Sequence, residues 1–302
     1  MWEIDLIHPD PFIPRDSGRG KKSIRQEPVT ASYIVSAATP IVSFLGNKPS
    51  VLSSFHEGGK GSCVALADFA SRYFLGCQQR NGTTETIVVN ESENDENDQD
   101  QHILFHMETL DEALLKIRQR KNTSQRLYPP YVVERSDFFC CNDILRITVR
   151  VIVKSTTNEM FSKECVLAMI PESCQEIFQK VFAVDDPAFS RSLLEHVACV
   201  VLQQRLRSHL TSIDAIAFIS DGSILPRKSG ASATPMASPP AVPFKAPAGS
   251  RMSKSICIDI GSLIEYVSCS SFKIENKSTI VLSGLVVQQG VTLICGGGYH
   301  GE

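Results

Sequence analysis

The residues best placed to do chemistry stand at the end of the sequence. Val291-Thr292-Leu293-Ile294-Cys295 is a short apolar run that leads into Gly296-Gly297-Gly298-Tyr299-His300-Gly301, with the G-x-x-x-x-G spacing of a Walker A loop. Glycines adopt backbone angles that other residues avoid, so successive N–H groups can converge on an anion, and a helix after such a loop adds partial positive charge. A Walker A loop continues with Lys, which bonds the β- and γ-phosphates, and then Ser or Thr, whose hydroxyl holds Mg²⁺. Here Glu302 stands in the Lys position and is the last residue of the sequence. The nest of donors is present without the lysine. The Glu302 side chain and the terminal carboxylate oppose a triphosphate at a cost on the order of 1 kcal/mol each. ATP binding by this chain alone is therefore expected to be weak or absent.

Other residues invite a chemical reading and have a plain one beside it. Asp221-Gly222-Ser223 makes a turn after an apolar run, and Arg227 and Lys228 behind it can reach phosphate. The same Ser220 to Gly230 segment can equally be a loop that docks one domain on another. His300 lies beside the phosphate position, where a loop histidine ordinarily faces solvent. Cys140-Cys141 lacks any C-x-x-C or Cys/His ligand set, so no metal site is assigned. No Ser/His/Asp or Cys/His spacing marks a nucleophile, and no catalytic residue is assigned.

Three segments in a fixed order make the reading more specific: Phe218 to Gly230 (Phe-Ile-Ser-Asp-Gly-Ser-Ile-Leu-Pro-Arg-Lys-Ser-Gly), Ala241-Val242-Pro243-Phe244, and Gly290 to Gly301. In this order they resemble the predicted ATPases of the ABC class, in which a distinct N-terminal domain precedes an ABC-type nucleotide-binding domain. The resemblance covers about Tyr131 to Gly301. It implies ATP as ligand and Mg²⁺ as its metal in the full-length family, bound through Gly296, Gly297, Gly298, Tyr299, His300 and Gly301. The family's Lys and Ser/Thr, Walker B acid and signature loop are absent from this sequence. An acidic position usual in the family after Ser-Gly-x-Ser is Ala233 here. Tyr266 and Phe272 lie upstream of the loop, where ABC-type domains place an aromatic under the adenine. Core packing in a strand is the ordinary reading for both. Leu282-Ser283-Gly284 with Gln288-Gln289 looks like a signature loop but precedes the glycine loop, and is taken as coincidence.

The elements that must position these residues are partly legible. Leu145, Ile147, Val149, Val151 and Val153 alternate with Arg146, Thr148 and Arg150, which predicts a half-buried, antiparallel strand over Ile144 to Val153. Asp186-Pro187 offers a cap and a first-turn proline to a long helix carrying Leu193, Leu194, Val197, Val200, Val201 and Leu206. Thr109-Leu110-Asp111-Glu112 has capping-box spacing, so a helix is expected there as well. Ala215 to Ile219 has the look of a central strand. Ile256 to Ile264 and Phe272 to Val287 read as strands of an antiparallel subdomain, and Val291 to Cys295 as the strand entering the loop. The class is therefore α+β (mixed α/β): an N-terminal α/β domain, then the first antiparallel strands and the P-loop strand of an incomplete ABC-type P-loop NTPase domain. Residues 1–230 are assigned to the first, 251–302 to the second, and the proline-rich 231–250 to an extended connector. Residues 90–101 pack six acids among amides with no apolar side chain and are expected to be a disordered insert. The Gly/Lys/Arg stretch from Asp16 to Arg25 reads as a solvated loop.

Bulk properties exclude several classes. With 302 residues, 42% hydrophobic, the chain can bury a sizeable core, and a net charge of −3 gives no global pull toward nucleic acid or a membrane surface. No apolar run approaches the roughly 18 residues of a membrane span. Ten cysteines lie scattered in apolar stretches, which favours buried reduced thiols and a cytoplasmic location. Two functions stand: a front part of an ABC-class ATPase whose loop is completed in a fuller product, or a binding or regulatory module, for RNA or a protein partner, with a vestigial nucleotide site.

Overall fold

The computed structural model describes residues 2–9, 30–46, 48–80, 82–89, 101–110, 132, 134–155, 163–182, 185–230, 232–267 and 272–293. In chain order the elements are β1 (Glu3–Pro9), β2 (Thr30–Pro40), α1 (Val42–Leu45), α2 (Pro49–Glu57), α3 (Lys60–Gln79), β3 (Thr84–Val89), β4 (Gln101–Thr109), β5 (Phe138–Cys141), β6 (Ile144–Ser155) and α4 (Lys163–Val181). They continue with α5 (Pro187–Leu210), β7 (Ala215–Ser220), β8 (Arg227–Ser229), β9 (Ser232–Pro235), β10 (Ser253–Asp259), β11 (Lys273–Ile274) and β12 (Thr279–Gln288). Short 3-10 turns occupy Thr211–Ile213 and Gly261–Tyr266. Helices and antiparallel sheets together give the α+β class expected from sequence. The chain forms two compact units, one from Met1–Phe44, Ala67–Arg126 and Glu134–Phe189, the other from Leu45–Leu66, Leu127–Val133 and Ser190–Glu302.

In the first unit the sheet order is β1-β2-β6-β4-β3, every neighbour antiparallel. The alternation read from Ile144 to Val153 is the reason β6 sits in the middle. Leu145, Ile147, Val149 and Val151 are fully buried, and the intervening residues face the other side. One edge of β6 pairs with β2 from Pro40↔Ile144 to Thr30↔Lys154. The other edge is divided between β5, at residues 144–147, and β4, at 149–155. Asn142 and Asp143 turn the β5–β6 hairpin with φ of 50° and 60°, angles these two side chains tolerate better than most.

The core of this unit is aromatic. Trp2 lies 4.6 Å from Phe178 and 5.9 Å from Phe44 between ring centroids, and Phe74 lies 5.9 Å from Phe138. Cys174 is buried on α4, and burial pushes its thiol up to about 12. On the opposite face of the sheet the almost fully buried Glu108 accepts from Arg150 Nη1 at 2.7 Å, while Arg150 Nε donates to Ser32 Oγ at 2.9 Å. A buried carboxylate requires such a partner, since an unpaired one costs several kcal/mol, roughly.

Two expectations from sequence meet this unit. The capping box at Thr109 stands at the junction of two elements: Thr109 ends β4, its backbone paired with Val149, and Leu110 after it is helical, as the capping-box spacing predicts. Before it, Ile103, Phe105 and Met107, all fully buried, give β4 the two-residue period of a strand. Residues 111–131, where the rest of that helix is expected, lie outside the described residues, as do 90–100 of the acidic insert and the Asp16 to Arg25 stretch.

In the second unit β12 takes β10 along one edge, from Ser253↔Leu285 to Asp259↔Thr279. Its other edge takes β11 at Ile280 and Val281, then β7 from Gly284↔Ser220 to Gln288↔Ala215. A Cβ on Gly284 would strike the carbonyl oxygen of Ile219 and stand 2.7 Å from Phe218 Cζ and 2.9 Å from Ser220 Cα. Glycine is what lets β7 close on β12. The helix expected after Asp186-Pro187 is α5, with Asp186 Oδ1 accepting from Ala188 N at 2.9 Å. Along its length Leu193, Val197 and Val201 are fully buried. Segment α2 is fastened to the Gly261–Tyr266 turn by hydroxyls: Ser262 N donates to Ser54 Oγ at 2.9 Å and Ser262 Oγ to Ser50 O at 2.7 Å.

Replacing Gly284 with valine is expected to cost about 2–3 kcal/mol or more, through overpacking at the β7–β12 contact. Urea unfolding checks it, and an unchanged midpoint would show that the strands can part to admit a side chain. A second prediction concerns Glu85 on β3, which accepts from Lys180 at 2.8 Å. Burial alone would raise the Glu85 carboxyl, but hydrogen bonds with Glu176 and Lys180 and the Lys180 charge leave it lowered. The hydrogen bond with Glu85, then its charge, raises Glu176. A raised folded-state carboxyl stabilises at low pH and loses that contribution as pH rises through its folded value. Glu176→Gln keeps a permanent donor without the charge. It should melt higher than the parent at pH 7, the gap closing as pH falls into the ordinary glutamate range.

Candidate functional site

The approach to the glycine loop is built by the end of β12. Gln289 N donates to Asp214 O at 3.2 Å, and Gly290, at φ 128°, turns the chain out of the sheet. That angle favours glycine. Val291 to Leu293 follow with no strand pairing, Val291 and Leu293 exposed at 102% and 83%. Their strand, expected from composition, is therefore not formed over residues 291–293. An apolar run becomes a strand only where a neighbour supplies backbone partners, and none does so there among the described residues. Gly296, Gly297, Gly298, Tyr299, His300 and Gly301 lie outside the described residues.

At the far end of β7 the Asp221-Gly222-Ser223 turn forms as expected. Gly222 has φ 86°, Asp221 N donates to Ser283 O at 2.8 Å, and Asp221 Oδ1 accepts from Ala246 N at 2.7 Å. The β8–β9 hairpin leads off from this turn, with Arg227 and Lys228 exposed upon it. Ser220 is in register with Gly284, six residues before Gly290, so about 20 Å of strand separates the turn from the point where the chain departs toward the glycine loop. The described residues do not bring Arg227 and Lys228 beside Gln289 to Leu293.

The proline-rich stretch differs from the extended connector expected of it. Met236 N donates to Pro226 O at 2.8 Å, Gly222 N to Phe244 O at 2.8 Å and Phe244 N to Ser223 O at 2.8 Å, while Ala241 is buried. Prolines remove donors from this segment, yet Met236 N and Phe244 N reach the carbonyls of Pro226 and Ser223, and the Phe244 carbonyl accepts from Gly222 N. Residues 232–250 thus fold back within the unit that runs from Ser190. The side chain that organises them, Asp221, read from sequence only as a turn former.

Tyr266 and Phe272 are both half-buried and neither is in a strand. Tyr266 closes the 3-10 turn and Phe272 precedes β11. The strand reading from Ile256 to Ile264 stops at Asp259 because its Oδ1 accepts from Gly261 N at 2.8 Å and Gly261 takes φ 59°. Two half-exposed aromatics remain available to a planar ligand.

In the sequence this antiparallel sheet is followed by the glycine-rich stretch Gly296 to Gly301. Residues 190–302 match the family model ABC_ATPase, P-loop domain, so over that stretch the chain is similar to the P-loop domain of ABC-class ATPases. The match opens at Ser190, within α5, well before the proline-rich stretch. No curated protein matches the chain. P-loop ATPases of this kind generally use ATP and Mg²⁺. Among the described residues no helix is long and apolar enough to cross a membrane.

Asp221→Ala removes the acceptor for Ala246 N and is expected to cost about 1–2 kcal/mol. Limited trypsin digestion should cut faster after Lys245 in the variant. An unchanged cleavage rate would mean that the two Phe244 backbone bonds suffice to hold the loop.

Proposed function

We propose that this protein is an ATP-binding member of the ABC class that meets the nucleotide phosphates through Gly296 to Gly301 and does not hydrolyse ATP by itself. The observation that supports the reading is the delivery of the chain, at Gln289 and Gly290, from the β7–β12 sheet into a G-x-x-x-x-G sequence, within a stretch that matches a P-loop domain model. The donor chemistry fits a phosphate, because backbone N–H groups of consecutive glycines need no side chain to bind an anion. The position after Gly301 argues against tight binding. Glu302 places a carboxylate where the phosphate-bonding lysine of a Walker A loop belongs. Tyr266 and Phe272 are the aromatics available to the adenine in this reading. Mg²⁺ would arrive with the triphosphate, and its protein ligand is not assigned.

Titration calorimetry with Mg-ATP tests the proposal. The parent chain should bind weakly, and Glu302→Lys should tighten binding on the order of tenfold or more, since one anion is exchanged for one cation beside the phosphates. Tight binding by the parent would refute the role given to Glu302. No binding by either form, with both folded by circular dichroism, would refute a nucleotide site in this chain.

A further inference from the structure

The surface around the Asp221 turn carries charge of one sign. Between Gly222 and Lys254 there is no Asp or Glu, against Arg227, Lys228, Lys245, Arg251 and Lys254, in a chain whose net charge is −3. All five side chains are exposed, and none pairs with a carboxylate among the described residues. Some cations elsewhere in the second unit are engaged: Arg191 pairs with Glu195 at 3.1 Å, and Arg205 donates to the Asp259 carbonyl at 2.7 Å.

The backbone gathers these cations at one end of the sheet. Lys254 on β10 is in register with Gly284, whose other neighbour is Ser220, so Lys254 lies two strand spacings, about 10 Å, from the residue before the turn. Lys245 is held between Phe244, bonded to Gly222 and Ser223, and Ala246, bonded to Asp221. Met252 O accepts from Val286 N at 2.8 Å, fixing the turn that carries Arg251. Asp221, the acid bordering the set, accepts the Ala246 N–H.

Two large apolar side chains stand in the same place. Leu225 is 42% and Val242 79% exposed. Phe244 N donates to Ser223 O, and Leu225 and Val242 each stand two residues along the chain from that bond. An apolar pair with Arg227 and Lys228 beyond one side and Lys245 beyond the other has the chemistry of a surface that meets anionic lipid: cations for the headgroups and short apolar side chains for the boundary beneath them. A surface that bound phosphate alone would gain nothing from the exposed valine, whereas a lipid boundary buries it.

We propose that this face, Leu225 and Val242 ringed by Arg227, Lys228, Lys245 and Lys254, docks the protein peripherally on a membrane rich in anionic phospholipid. The contact needs no spanning helix, and each cation near such a surface contributes about fivefold in affinity. Sedimentation of the full chain with vesicles tests it, using phosphatidylcholine alone and phosphatidylcholine with about a third phosphatidylserine. The expected result is binding to the second and not the first, falling with salt. Charge reversal by R227E/K228E should lose about twentyfold or more. Val242→Asp should lose binding as well, with an unchanged melting temperature in both variants. Absence of vesicle binding at low salt would overturn the proposal. So would binding indifferent to Val242→Asp, or capture of a single-stranded 20-nucleotide RNA without vesicle binding, which would leave a purely electrostatic surface.

Discussion

Strand β12 is the constraint on which the second unit depends, because one ten-residue segment supplies backbone partners to β10, β11 and β7. Both of its edges are in use over most of its length, so a change at one neighbour is felt across the strand by the others. The tightest point is Gly284, where the β7 backbone passes so close that no side chain fits. Everything presented at that end of the sheet, the Asp221 turn, the loop folded onto it and the start of β10, inherits its position from this approach. The other end of the strand sets the direction in which the chain leaves for the glycine loop.

Electrostatics divides the two units along different lines. In the first, charge is spent internally: Glu108 with Arg150, Asp68 with Arg72 at 2.5 Å, Glu85 with Lys180. These carboxylates are buried or nearly so, and each has a cation at hydrogen-bond distance, which is what burial of a charge demands. In the second unit the cations nearest the Asp221 turn have no such employment among the described residues. A stretch rich in proline, alanine and serine has little apolar area to bury, so its order comes from backbone hydrogen bonds and its side chains remain available to a partner.

What could be read from sequence divides along the same physical line. The β6 pattern and the Asp186-Pro187 start of α5 were legible because alternation and capping are local, needing only neighbours a few residues away. Gly222 and Asp221 were legible as a turn for the same reason. The grip of Asp221 on Ala246 was not, since it spans residues far apart in the chain. The proline-rich stretch misled because low helix and strand propensity predicts an absence of repeating structure, which differs from an absence of structure. Thr109 was legible as a helix start because a cap is set by the residues that follow it, and Leu110 is helical although the preceding residues belong to a sheet. Val291 to Leu293 misled because apolar composition describes one half of a strand and the pairing partner the other.

Burial of Cys174 has a consequence for observing this protein. A thiol pushed up to about 12 is almost wholly protonated at neutral pH, and only the thiolate attacks an electrophile. While the aromatic core is closed, that sulfur is chemically silent, whereas Cys141, Cys199 and Cys257 are exposed. Once the other thiols are capped, the slow reaction that remains at Cys174 becomes a clock for the opening of the first unit.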